Sequence, residues 1–290
     1  MISTAPARLG FVALLAAAGV LAGHKATFGQ GAAKPINLAP HVAIYDLTLK
    51  SSRGKRALES VRGRIVYDFS GSSCEGYALQ FRQVTELDSG EGKVALSDLR
   101  TTTWEEGEGK SFRFKSENYM NQEQIGEVDG SADREKGGVA VKLSKPETKK
   151  FEAGKVVFPT EHMRLLIEAA QAGQTLLEVD VYDGSESGQK IYHSLSVIGH
   201  RIEPDKKLDD AAAEKDSLAS LARWPVTISY FDNAGEKKAD DQPSEQTPVY
   251  AISFEMYENG ISRALRLDYG DFVIDGKMSS LEVKNTKACK

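Results

Sequence analysis

From His41 onward the chain reads in twos. Tyr45, Leu47 and Leu49 fall on one side of an extended backbone and Asp46, Thr48 and Lys50 on the other, the period of a half-buried strand. Runs with strand character follow at 61–69, 77–86, 93–103, 111–115, 122–134 and 139–143. Short turns rich in Gly, Ser and Asp separate them, such as Asp88-Ser89-Gly90-Glu91-Gly92. Gly126 and Gly130 interrupt the fifth of these runs and predict a bent strand.

One stretch changes period. Over 159–173, Met163, Leu166, Ile167 and Ala170 recur at helical spacing, with Thr160 as the expected N-cap, Glu161 in the first turn and Gly173 as the stop. Strand text resumes at 175–182, where Leu176, Glu178, Asp180 and Tyr182 share a face, and after a hairpin turn at 183–188 it returns along 189–202. The segment 203–222 is charged and Ala-rich and reads as a mobile crossing or a short solvated helix. Strand character returns at 224–231, and 232–248 is a polar loop. The runs 250–256 and 261–269 flank an Asn259-Gly260 hairpin. Runs at 272–274 and 278–283, with Asp275-Gly276 as a turn between them, complete the chain. About fourteen such runs and one helix predict an all-β fold. The regular spacing suggests a barrel or a sandwich, a sheet that wide must twist or curl, and the short helix is expected to plug an open end or face of it.

The first thirty-odd residues stand apart. Arg8 precedes an apolar, Ala/Leu-rich run over 9–21, and no Asp or Glu occurs before Asp46. This is the layout of a secretory signal over 1–33, too short for a transmembrane span; Ala26 and Ala33 both fit as cleavage points. The expected mature chain is one exported domain, 34–290. Losing Arg8 and Lys25 takes the formal charge two units further below −5, which gives no electrostatic reason to bind nucleic acid or an anionic membrane surface. In an exported chain the two cysteines, Cys74 and Cys289, read as one disulfide. A loop that long is stabilised by at most about 5 kcal/mol in the chain-entropy model.

Chemistry-bearing motifs are scarce. The stretch Gly184-Ser185-Glu186-Ser187-Gly188 has Glu where a nucleophile elbow needs Ser. There is no phosphate loop, His-Glu-x-x-His or calcium loop. No catalytic residue, metal or cofactor is therefore assigned. A rival reading makes the protein a hydrolase of an envelope polymer or lipid, using His162 with Glu75 or Asp183. A third, an outer-membrane barrel, conflicts with charges on both faces of many strands. The apolar alternation reads mostly as core, and a curled sheet of this width can also enclose an apolar ligand.

One set of motifs carries a resemblance. Tyr67-Asp68-Phe69, Cys74-Glu75-Gly76-Tyr77, Asp98-Leu99-Arg100, Thr103-Trp104-Glu105, Phe112-Arg113-Phe114, Phe158-Pro159-Thr160-Glu161-His162 and Tyr182-Asp183-Gly184-Ser185 occur in that order. The set resembles the cell envelope integrity protein B (EipB-like) family of periplasmic alphaproteobacterial proteins, across essentially the whole mature chain. The resemblance implies a β-spiral of about fourteen strands with one helix, and a disulfide between Cys74 and Cys289. It also implies a shape like that of periplasmic lipoprotein carriers, and a role in envelope integrity and stress resistance. The implied partners are a periplasmic tetratricopeptide-repeat protein and a lipid or lipoprotein acyl chain. It brings no catalytic residues. Trp104, Phe112, Phe114, Phe158, His162 and Tyr182 are the candidate binding or structural positions.

Overall fold

The computed structural model describes residues 36–285 apart from 54–57, 91, 205–207, 215 and 233–246. The expected signal, Cys289 and most of the 232–248 loop lie outside the described residues. Fourteen strands form one antiparallel sheet. In chain order they are β1 (His41–Ser52), β2 (Ser60–Ser72), β3 (Gly76–Asp88), β4 (Val94–Glu105), β5 (Ser111–Met120), β6 (Glu123–Glu135), β7 (Gly138–Lys145) and β8 (Lys149–Glu152). Helix α1 (Pro159–Gln171) follows, then β9 (Leu176–Val181), β10 (Tyr192–Ile198), a short 3-10 turn (Ala211–Ala213), α2 (Asp216–Ala219), β11 (Arg223–Asp232), β12 (Tyr250–Tyr257), β13 (Ser262–Asp268) and β14 (Phe272–Val283).

The order across the sheet is β8 to β1 in reverse sequence, then β14 down to β9. Every connection within each half is therefore between neighbours, and the one long-range pairing joins the first strand to the last. His41 pairs with Val283 on one side and with Phe69 on the other. The sheet does not close, but its two edges are brought together. After β8 the chain pairs Val157 with Val181 in parallel: Val157 N–H donates to the Asp180 carbonyl at 2.8 Å, and Tyr182 N–H donates to the Val157 carbonyl at 3.0 Å.

The strand count matches the expectation through two offsetting differences. Residues 272–283 are one strand, with Gly276 in its interior, where a Cβ would lie 3.1 Å from Leu265 and 3.2 Å from Leu47. Asp275-Gly276 is thus a close-approach site rather than a turn. Conversely, the short polar edge strand β8 carries no alternation by which to find it. Tyr182 also departs from the expected face: it lies just past β9 and is buried, whereas Leu176 and Glu178 point outward.

The 203–222 crossing is not solvated along its length. Ala213, Leu218 and Ala222 are buried in the main core, and Asp210 is buried beside Arg263. That core gathers the inner faces of β1, β2 and β10–β14 with Leu166, Ile167, Ala169 and Ala170 of α1. A second cluster, built on Phe112, Phe114, Val128, Val141, Leu143, Phe158 and Tyr182, fills the β5–β8 end. Each such side chain contributes about 1.5–3 kcal/mol by leaving water.

Candidate binding cavity

Helix α1 is held by groups outside it. Its N-cap is Phe158, with Pro159 in the first turn, so Thr160 lies inside the helix instead of capping it. Phe158 has no side-chain oxygen to satisfy the free N–H groups of the first turn. Glu105, at the end of β4, does so from across the fold: its carboxylate accepts Thr160 N–H at 2.7 Å and Glu161 N–H at 2.8 Å. Burial pushes the Glu105 carboxyl up to about 7, against the opposing pull of those two bonds. Arg134 fixes the same corner by donating to the Gly109 and Val156 carbonyls and to Glu161, at 3.0, 3.1 and 2.7 Å.

So placed, α1 looks into a cavity of about 720 Å³ enclosed by the curl. The walls are Leu79, Phe81, Leu99 and Phe114 on one side, Ile228, Tyr230, Ile252 and Phe254 on the other, and Met163 and Leu166 of the helix. Residues of β3–β5 and of β11–β12, far apart in sheet order, thus face one another. A second chamber of about 280 Å³, lined by Tyr45, Ile65, Tyr250, Leu265 and Leu267, shares Tyr67, Phe81, Met163, Ile252 and Phe254 with the first. Ile125, 57 % exposed, and Glu186 stand at the open end. The 183–188 loop closes down on β5–β7: a Cβ on Gly184 would lie 2.3 Å from the Phe114 ring, and the φ of +68° favours glycine there.

The candidate residues divide. Phe112 stacks on Phe114 at 5.3 Å and on Phe158 at 5.1 Å, and Tyr182 meets Phe114 edge-on at 5.6 Å. These four are one aromatic wall, of which Phe114 reaches the cavity. Tyr182 is fully buried and its hydroxyl donates to the Gly188 carbonyl at 2.7 Å, anchoring the loop. His162 lines the cavity, is 4 % exposed, and its Nε2 has no hydrogen-bond partner among the described residues; burial alone lowers its pKa to about 4. Trp104 points the other way. It sits on the outer face with Arg113 over its ring at 5.6 Å, and its Nε1–H donates to the Glu75 carbonyl at 3.3 Å.

The hydrolase constellation does not assemble around His162. Glu75 is exposed in the β2–β3 turn beside outward-facing Trp104. Asp183 lines the same cavity as His162, but its carboxylate accepts Ser185 N–H at 2.9 Å and His162 Nε2 stays unpaired. Among the described residues no cluster of His, Cys, Asp or Glu could hold a metal ion. Among them, too, no helix is long and apolar enough to cross a membrane. Cys74 lies in the β2–β3 turn; its expected partner is outside the described residues.

Six of the seven motifs that carried the resemblance, all but Cys74-Glu75-Gly76-Tyr77, supply lining residues to this cavity, and comparison with known proteins decides the family. A sequence model described as EipB-like matches residues 32–285. The chain belongs to the EipB-like family. It is 39 % identical over 255 residues to the cell envelope integrity protein EipB of Brucella abortus (strain 2308), covering 88 % of each. It is also similar to a solved beta-barrel-like protein of a domain of unknown function, DUF1849, from Brucella abortus. There the TM-score is 0.78 and the identity 37 %, over 87 % of this chain and all of that one. The all-β, single-sheet architecture of the described residues is similar to that beta-barrel-like structure.

Sequence reasoning missed most of the lining. Met163, Ile228, Ile252 and Phe254 read as ordinary core, because an apolar residue facing a void has the same alternation as one facing another strand.

Proposed function

We propose that this protein is a periplasmic, non-enzymatic component of cell envelope integrity that holds an acyl chain inside its curled sheet. The observation that carries the reading is the apolar cavity of about 720 Å³ between the two halves of the sheet, within the range of small-molecule sites. Membership of the EipB-like family and the relative named for envelope integrity support the cellular role. The signal-like N terminus supports export. The missing partner for His162 and the exposed position of Glu75 favour binding over hydrolysis.

Secreting the mature chain into a bacterial periplasm, extracting it with organic solvent and identifying the extract by mass spectrometry tests the reading. Near-stoichiometric acyl species are expected. A protein that emerges empty and is not stabilised by any added acyl probe would sink it.

A further inference from the structure

The chemistry of the lining restricts what kind of acyl ligand enters, given the reading above that the interior holds one. Among the described residues the larger chamber is lined by three acids, Glu127, Asp183 and Glu186, and by no lysine or arginine. Two of the acids are neutralised on their outer sides. Glu127 lies 3.8 Å from both Lys115 and Lys145, and Glu186 lies 2.9 Å from Lys190. Asp183 has no cationic partner among the described residues. Among the described residues the smaller chamber has no acid and no lysine or arginine; its polar groups are tyrosine hydroxyls, Gln83, Ser262 and His41. A carboxylate or phosphate carried inside would shed its water, meet Asp183, and find no counter-charge among the described residues, a costly transfer.

An uncharged polar group fares differently. His162 lines the wall with Nε2 shielded from the cavity and unpartnered among the described residues; a buried polar atom left unpaired costs about 1–3 kcal/mol, and an occupant whose polar group draws the ring round to meet it recovers that cost. A neutral imidazole can either donate to a carbonyl or accept from a hydroxyl. The hydroxyls of Tyr67, Tyr230 and Tyr250 in the linked chambers offer the same pair of options, whereas that of Tyr45 donates to the Ser262 carbonyl at 2.6 Å and is left only to accept.

We propose that the cavity selects acyl ligands whose polar end is uncharged, an acylglycerol ester or alcohol rather than a free fatty acid or phospholipid headgroup, with His162 as the polar contact.

Calorimetric titration of the mature, delipidated protein at pH 7.5 with monolauroylglycerol and with laurate tests this, because the two probes share one chain and differ at the head. The glyceride should bind at least about tenfold more tightly. His162→Leu should weaken glyceride binding about three- to tenfold and leave laurate unchanged, with His162→Gln recovering most of the loss. Ser116 lines the cavity beside Thr101, so Ser116→Lys should supply the missing cation and turn the preference towards laurate even if the histidine variants fold poorly. Equal or stronger binding of laurate by the unmodified protein overturns the selectivity while leaving the acyl-binding reading intact. Failure of both probes to bind overturns both.

Discussion

Glu105 caps a helix to which it is not joined: its buried carboxylate takes Thr160 N–H at 2.7 Å and, through its other oxygen, Glu161 N–H at 2.8 Å. The end of β4 therefore sets where α1 begins, and α1 in turn supplies Met163, His162 and Leu166 to the cavity. A carboxyl whose pKa is raised by folding binds its proton more tightly in the folded state. Its contribution to stability is complete below the unfolded value, 4.5, and is lost as pH rises through about 7. Glu105→Gln imitates the protonated side chain and removes the titration. The expected outcome is that this variant falls short of the parent by more at pH 5 than at pH 8, read from melting temperatures. A constant difference across that range would contradict the assignment. Glu105→Ala leaves both N–H groups buried without an acceptor and should cost about 1–3 kcal/mol at either pH.

A second buried ionic set attaches the 203–222 crossing to the sheet. Arg263 donates to Asp210 at 3.3 Å and to Glu255 at 2.5 Å, and Glu255 also accepts from Arg223 at 2.6 Å. Removing one member strands a charge in the core, which is worse than removing a complementary pair. Asp210→Ala should therefore lower stability by about 2–3 kcal/mol. Asp210→Ala with Arg263→Met should cost clearly less than the two single changes added together, since Asp210→Ala leaves Arg223 and Arg263 sharing Glu255 with one positive charge in excess, and the second substitution removes it. Urea denaturation of the four proteins measures the difference; additive losses would show that the pair is not coupled.

The expected disulfide can be argued from strand register. Because His41 pairs with both Val283 and Phe69, β2 and β14 leave the sheet at the same end. Lys284 N–H donates to the Pro40 carbonyl at 2.8 Å, and its ammonium pairs with Asp68. The β2–β3 turn with Cys74 and the tail with Cys289 thus start from neighbouring positions. A Cys74–Cys289 bridge predicts a melting temperature lowered by reductant. Cys74→Ser, Cys289→Ser and the double variant should all lose the same amount, up to about 5 kcal/mol. Two thiols titrating in the unreduced, denatured protein would refute the bridge.

The architecture was legible wherever one sheet face is solvated. Tyr45, Leu47 and Leu49 against Asp46, Thr48 and Lys50 announce β1 because its two faces meet different solvents. The helix was legible from its apolar stripe, but its start was not. Thr160 offered the expected hydroxyl, whereas the acceptor that caps the helix comes from Glu105, over fifty residues earlier in the chain. Local capping rules cannot see such a donor–acceptor pair. His162 stood out as a lone histidine at a helix start, and it does face the cavity. Trp104 stood out as well, yet falls on the outer face, because the parity of β4 buries Glu105 instead. Parity is readable in principle, but a buried Glu next to an outward Trp inverts what hydrophobicity suggests.

Met163 is the helix residue common to both chambers, which makes it the position at which volume alone can test the cavity. Enlarging a side chain in a close-packed core strains its neighbours by about 1–3 kcal/mol. Enlarging one that borders a void removes empty space and restores dispersion contacts that offset the strain. Met163→Trp should accordingly leave the melting temperature within about 4 °C of the parent, the most that 1 kcal/mol shifts a domain of this size. It should also abolish most of the acyl species recovered on extraction. Glu168→Trp, on the exposed side of the same helix, is the control and should retain them. If Met163→Trp keeps its full complement of ligand, the acyl chain lies somewhere other than between the two halves of the sheet. If instead it unfolds the protein, the space beside Met163 is too small to admit a chain, and the cavity is not the binding site.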